Sequence, residues 1–305
     1  MKIQKEYWFV MISGVMSGFI VFMGQVFSNL GLSVYEICTL AYIITTTILL
    51  PFILFNPAHR YKKKMFWLNI AYVLVSITII FSQYSAVMIG TPVAIVVLLL
   101  YTQPLWTTLI SKLFLKEKVT KVNIIACILV LLGILLLANP FTSFAKISSA
   151  GLIVSLIGGL GLSGWIVLGS VLSKKGNSPI NSLFSTMAGT VLFAVLTQPL
   201  AARIIHDPRI TNLSLNHSTK AWLVIIAFAF TAQLANHLFY LNGVKKVRAI
   251  DADIIMLLEP IVGAILAAIF LHQRITLGII LGGALILLAN YLVIKSTQNS
   301  HADRI

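Results

Sequence analysis

The chain has 305 residues, of which 59% are hydrophobic and only 10% charged. A soluble domain carries about a quarter charged residues, so a water-soluble protein is excluded and an integral membrane protein is expected. The formal net charge of +14 does not point to nucleic acid. The basic residues sit in short gaps between apolar runs, where they report topology and meet anionic lipid.

The apolar run from Tyr7 to about Phe27 is too long for a cleavable signal and lacks an A-x-A site, so it reads as a first span. Further spans follow at 36–55, 66–89, 92–114, 122–139, 149–172, 180–200, 219–241, 250–271 and 275–294, the first being 7–28. Lipid leaves no backbone group unsatisfied and no segment alternates like a barrel strand, so all ten are predicted to be helices. With a cytoplasmic N-terminus, only Lys146, Arg203, Arg209, Lys220 and Arg274 of the 22 Lys and Arg fall away from the cytoplasmic side. This bias supports ten spans with both the N- and C-termini cytoplasmic. Cys38 and Cys127 are isolated in apolar segments and read as core residues rather than as a disulfide or metal site. No Walker A, GxSxG or acidic metal cluster occurs, so no cofactor is expected.

Sliding the chain on itself by 156 residues puts Tyr84 on Tyr240, Pro104 on Pro260 and Thr120 on Thr276. A shift of 145 puts Gly14, Gly24, Ser28 and Gly31 on Gly159, Gly169, Ser173 and Gly176. The chain therefore reads as two five-helix halves. Five is odd, so the second half enters the membrane inverted, a recurrent transporter design with a site between the repeats.

The ends of the halves read QPLWTTLISKLFLKEKVT followed by LVLLGILLLAN, and LEPIVGAILAAIFLHQRIT followed by LGGALILLAN. These segments resemble the EamA-type members of the drug/metabolite transporter superfamily, and the resemblance covers essentially the whole chain. It implies an all-α polytopic fold of ten transmembrane helices in two inverted repeats, at 1–140 and 149–295, with a cytoplasmic tail at 296–305. It also implies a multi-pass protein of the cell membrane, the bacterial inner membrane, and no enzyme. Two departures stand out. The family's loop acid occurs as Glu117 in the first half only, and its acid before proline occurs as Glu259 in the second half, where the first has Gln103.

Glu259 is the leading candidate residue. A carboxylate at mid-membrane costs roughly 2.5–3.5 kcal/mol or more, so it either faces a polar cavity or locks helix packing; the residues leave both readings open. Pro104 and Pro260 each remove a helix hydrogen bond and are predicted to kink spans 4 and 9 around a cavity. In span 8, Gln233, Asn236, His237 and Tyr240 share one helical face and should point inward. His237 has no second ligand at metal spacing. Gln83 and Tyr84 in span 3, Gln103 and Trp106 in span 4, Gln25 in span 1 and Trp165 in span 6 complete the candidate lining. Asp251 and Asp253 read as capping acids for the first turn of span 9.

The function expected is secondary active transport of a small organic metabolite, an amino acid or similar zwitterionic or cationic compound, by alternating access. Export is the expected direction, with uptake as the alternative and protons as the candidate coupling ion. The partners are the substrate and the lipid bilayer, in a monomer or weak homodimer. A competing class is a polytopic membrane enzyme using Glu259 and His237 as acid and base.

Overall fold

The computed structural model describes residues 4–60, 62–88, 91, 93–138, 149–272 and 275–302; within its helices, the side chains of 21, 24, 25, 28, 83, 84, 87, 88, 93, 94 and 297–302 fall outside that description. Among the described residues there are helices and no strands. Helix α1 spans Lys5–Asn29, α2 Val34–Phe55, α3 Phe66–Met88, α4 residues 93–115 and α5 Lys121–Ala138. The remaining helices are α6 Ser149–Lys174, α7 Pro179–Ile204, α8 Thr219–Gly243, α9 Ala249–Leu271 and α10 Leu277–Ala302. Nine segments among the described residues, which overlap α2 to α10, are long and apolar enough to cross a membrane. Helix α10 continues past the end of its predicted span to Ala302, because no proline or other breaker interrupts it.

The burial pattern is that of a protein in lipid. Large apolar side chains such as Leu196, Leu223 and Ile204 are more than 60% exposed, while Glu36, Asp251 and Asn123 are 0% exposed. Polar groups face inward because hydrocarbon offers them no partner. The chain is a multi-pass membrane protein.

Two helices are broken rather than kinked. Helix α4 consists of Val93–Leu100, a turn at Tyr101–Thr102 and a restart at Gln103–Ile110. Helix α9 consists of Ala249–Met256, a turn at Leu257–Leu258 and a restart at Glu259–Leu271. Pro104 and Pro260 each sit in the first turn of the restarting segment, where a missing N–H costs nothing. At the breaks the ladder tightens to three-residue bonds, Thr102 N–H to Leu99 O at 3.3 Å and Leu258 N–H to Ile255 O at 3.1 Å.

Glycines bring neighbouring backbones against these breaks. A Cβ on Gly159 of α6 would lie 2.7 Å from Leu99 O, and one on Gly14 of α1 would lie 3.0 Å from Ile255 O. Helices α5 and α10 touch along Gly133 and Gly282, where a Cβ on Gly133 would stand 2.7 Å from Gly282 O. Other close neighbours are α2 with α7, α3 with α6, and α1 with α8. The described residues with positive φ are Gly31 and Gly176, at 72° and 75°, and Lys116 and His272, both at 54°.

Candidate functional site

Where the broken helices meet α1, α2, α3, α6, α7 and α8 they enclose a cavity of about 120 Å³. Each functional side chain arrives there for a local reason. Gln103 and Glu259 are the residues at which α4 and α9 restart, so the breaks carry both to the cavity wall. In α8 the helix widens into a π turn at Ala229–Ala235 before resuming at Asn236. Such wide turns are frequent at functional sites, and this one delivers Gln233, Asn236 and His237 to the cavity together.

Among the described lining residues Glu259 is the one acid, and none is Lys or Arg. Gln103 is 4% and Gln233 3% exposed, and the amide oxygen of each lacks a hydrogen-bond partner, as does Nδ1 of His237. Asn236 is bonded to α1: Ser13 Oγ donates to its amide oxygen, and its Nδ2 donates to Ser17 Oγ at 3.1 Å. Trp165 forms an aromatic wall. Its ring stacks on Tyr240 with centroids 4.4 Å apart, stands edge-on to His237 at 5.3 Å and packs on Tyr72 at 5.9 Å.

The structure thus brings Glu259, Gln103, Gln233, Asn236, His237 and Trp165 to one cavity. Two further candidates lie outside the lining. Tyr240 is 0% exposed, sits behind Trp165 and donates its phenol to Ile166 O at 2.8 Å. Trp106 donates its indole N–H to Thr102 Oγ1 at 3.2 Å, bracing the break in α4. The side chains of Gln25, Gln83 and Tyr84 fall outside the described residues. Sequence reasoning missed Ser17, Cys38, Tyr42 and Ser76, all of which line the cavity. Nothing in composition separates such small polar residues from helix-packing residues.

One expectation needs correction. The first-turn N–H groups of α9 are not capped by Asp251 or Asp253. Ala249 N–H and Ile250 N–H donate to the Glu117 carboxylate at 3.1 and 3.3 Å, and Lys174 Nζ at the end of α6 joins it at 3.1 Å. Asp251 is taken by Arg248, which donates Nε and Nη2 at 2.7 Å each, and by Asn123 of α5 at 3.1 Å. A guanidinium in bidentate reach outcompetes the backbone for that carboxylate. At the opposite end of the bundle, buried Glu36 accepts from Ser33 N–H, Asn212 Nδ2 and Ser214 N–H at 2.8, 2.9 and 3.0 Å. Both ends of the bundle therefore carry carboxylate-centred ties between distant segments. Cys38 and Cys127 are free thiols, and the described residues hold no group of three or more His, Cys, Asp or Glu that could bind a metal ion.

The chain has relatives among known proteins. The model of the EamA-like transporter family matches residues 4–139 and again 149–295. An uncharacterized transporter of Clostridium kluyveri is 20% identical over 305 residues, 98% of this chain and 96% of that protein. An uncharacterized transporter of Archaeoglobus fulgidus is 25% identical over 266 residues, 87% of this chain and 90% of that protein. A solved crystal structure shares the fold with a TM-score of 0.75 at 14% identity, over 93% of this chain and 96% of the other.

Proposed function

The chain belongs to the EamA-like transporter family, and from that premise we propose that it moves a small zwitterionic or cationic metabolite across the cytoplasmic membrane by alternating access. The observation that carries this reading is the composition of the cavity wall. It holds one carboxylate, Glu259, two buried amide oxygens without partners, on Gln103 and Gln233, and the aromatic face of Trp165. Acceptors and a π face suit an ammonium group. The Gln103 and Gln233 amides also carry N–H groups that a substrate carboxylate can accept from. Counted at 10–15 Å³ per water, a volume of about 120 Å³ has room for roughly ten waters, the scale of an amino acid.

The two-repeat organisation, at 1–140 and 149–295 with a tail at 296–305, draws support from five pairings. The family model matches twice. The breaks in α4 and α9 fall at positions 156 apart, as do Lys116 and His272, both at φ 54°. Gly31 and Gly176 are 145 apart, and so are Gly14 and Gly159, each of which abuts the carbonyl just ahead of a break. An even number of spans leaves both termini on one side, which we assign to the cytoplasmic face of a bacterial inner membrane from the bias of Lys and Arg. On that orientation the Glu117 ties close the cytoplasmic end and must break for substrate to pass. Export is the direction we assign, with protons as coupling ion.

The test is counterflow in proteoliposomes with a panel of radiolabelled amino acids and amines. At least one cationic or zwitterionic solute should exchange, and anionic solutes should not. A chemical product formed in detergent with no solute moved would favour the acid–base enzyme reading of Glu259 and His237 instead.

A further inference from the structure

Asp253 lies in the first segment of α9, outside the cavity lining, and is 1% exposed. Neither of its carboxylate oxygens has a hydrogen-bond partner, and among the described residues it forms no ion pair. The polar side chains facing it across the helix crossing are Thr107 and Gln103 of α4. The titratable groups nearest it on other helices are the Cys127 thiol of α5 and the Tyr240 phenol of α8. On its own helix, Asp251 is committed to Arg248, and Glu259 lies beyond the break. No described Lys, Arg or His faces it.

A buried carboxylate in such surroundings is not stable as an unpaired anion. Adding a proton turns it into an O–H donor, which the unpartnered Gln103 amide oxygen is able to accept. Gln103 also lines the cavity, so the same amide touches both sites. One and two turns further along α4, the hydroxyls of Thr107 and Ser111 are fully buried and lack partners too. They continue the polar column toward the end of α4 that carries Glu117.

Resting on the transport reading above, we propose that Asp253 is a proton-binding site, joined to the substrate cavity through Gln103 and reached from the Glu117 end past Thr107 and Ser111. Binding of a substrate ammonium at Gln103 Oε1 would remove the acceptor that the Asp253 proton uses, which ties proton release to substrate occupancy. No bond other than O–H is made or broken.

Infrared difference spectroscopy on the purified protein in lipid, titrated with acid and base, reads the protonated carboxyl C=O band directly and requires no transport. The expected result is a band present in the wild type, lost in Asp253→Asn and retained in Glu259→Gln. If Asp253→Asn fails to insert, Thr107→Val should shift the band while leaving its intensity. A wild type without the band at any pH overturns the proposal, as does a band unchanged by Asp253→Asn or, where that variant is lost, by Thr107→Val. In proteoliposomes, Asp253→Asn should lower the ratio of proton-driven accumulation to counterflow at least tenfold. A ratio equal to the wild type's also overturns it. Absence of counterflow for every solute in the wild type would defeat the transport reading alone, because the infrared band is measured without it.

Discussion

The Glu117 carboxylate caps the helix that begins at Ala249, 132 residues further along the chain, with Ala249 N–H 3.1 Å from Oε1 and Ile250 N–H 3.3 Å from Oε2. It does for α9 what an N-cap side chain normally does from one residue away. It also binds Lys174, so one partly buried acid holds the ends of α4, α6 and α9 together.

Losing that cap should cost about 0.5–2 kcal/mol. Glu117→Ala is expected to lower the thermal midpoint in detergent by more than Lys174→Ala, whose partly exposed ammonium contributes about 0–1 kcal/mol. Parallel melting curves of the two variants check this. Equal midpoints for both would mean that the backbone cap is not the stabilising part.

The approach of α6 to the break in α4 depends on the absence of a side chain at position 159. Gly159→Ala would push a methyl to 2.7 Å from Leu99 O, an overpacking that costs about 1–3 kcal/mol. At Gly283 the nearest atoms to an added Cβ are 3.9 Å away. Gly283→Ala should therefore melt like the wild type, and Gly159→Ala well below it.

Trp165 forms the aromatic wall of the cavity and is backed by Tyr240 at 4.4 Å. Trp165→Phe keeps a π face and should leave solute affinity within a few-fold. Trp165→Ala removes it and also the stacking, worth about 0.5–1.5 kcal/mol, so affinity should fall further. Binding titrations of the transported solute measure the difference.

Cys38 lines the cavity, whereas Cys127 is packed between α5 and its neighbours. A saturating transported solute should slow the alkylation of Cys38 by a small thiol reagent and leave Cys127 unaffected. Mass spectrometry of the alkylated peptides reads both sites at once. Solute-independent labelling of Cys38 would put the substrate elsewhere.

Much of this arrangement was legible in the residues, and the parts that were not share a cause. Shifts of 156 and 145 residues pair Pro104 with Pro260 and Gly14 with Gly159, and the structure uses both pairs alike: prolines where helices restart, glycines against the carbonyls ahead of the breaks. The inward stripe on α8 was readable from spacing, yet its π turn was not, because a widened turn is set by tertiary packing rather than by local propensity. Asp251 and Asp253 look like capping acids from position alone. The cap comes instead from Glu117, and Arg248 captures Asp251, which long-range geometry decides. Ser17, Cys38 and Ser76 could not be singled out, since the same residue types line any close helix contact.

The central claim is that Glu259 recognises a positively charged group in the cavity between the two halves. Initial-rate flux of the leading cationic or zwitterionic solute, in proteoliposomes bearing wild type or Glu259→Gln, tests it most directly. The isosteric amide should raise the half-saturating concentration roughly tenfold, about 1.4 kcal/mol, with reconstitution unchanged. Flux identical to the wild type at every substrate concentration would contradict the claim and leave Glu259 as a packing residue.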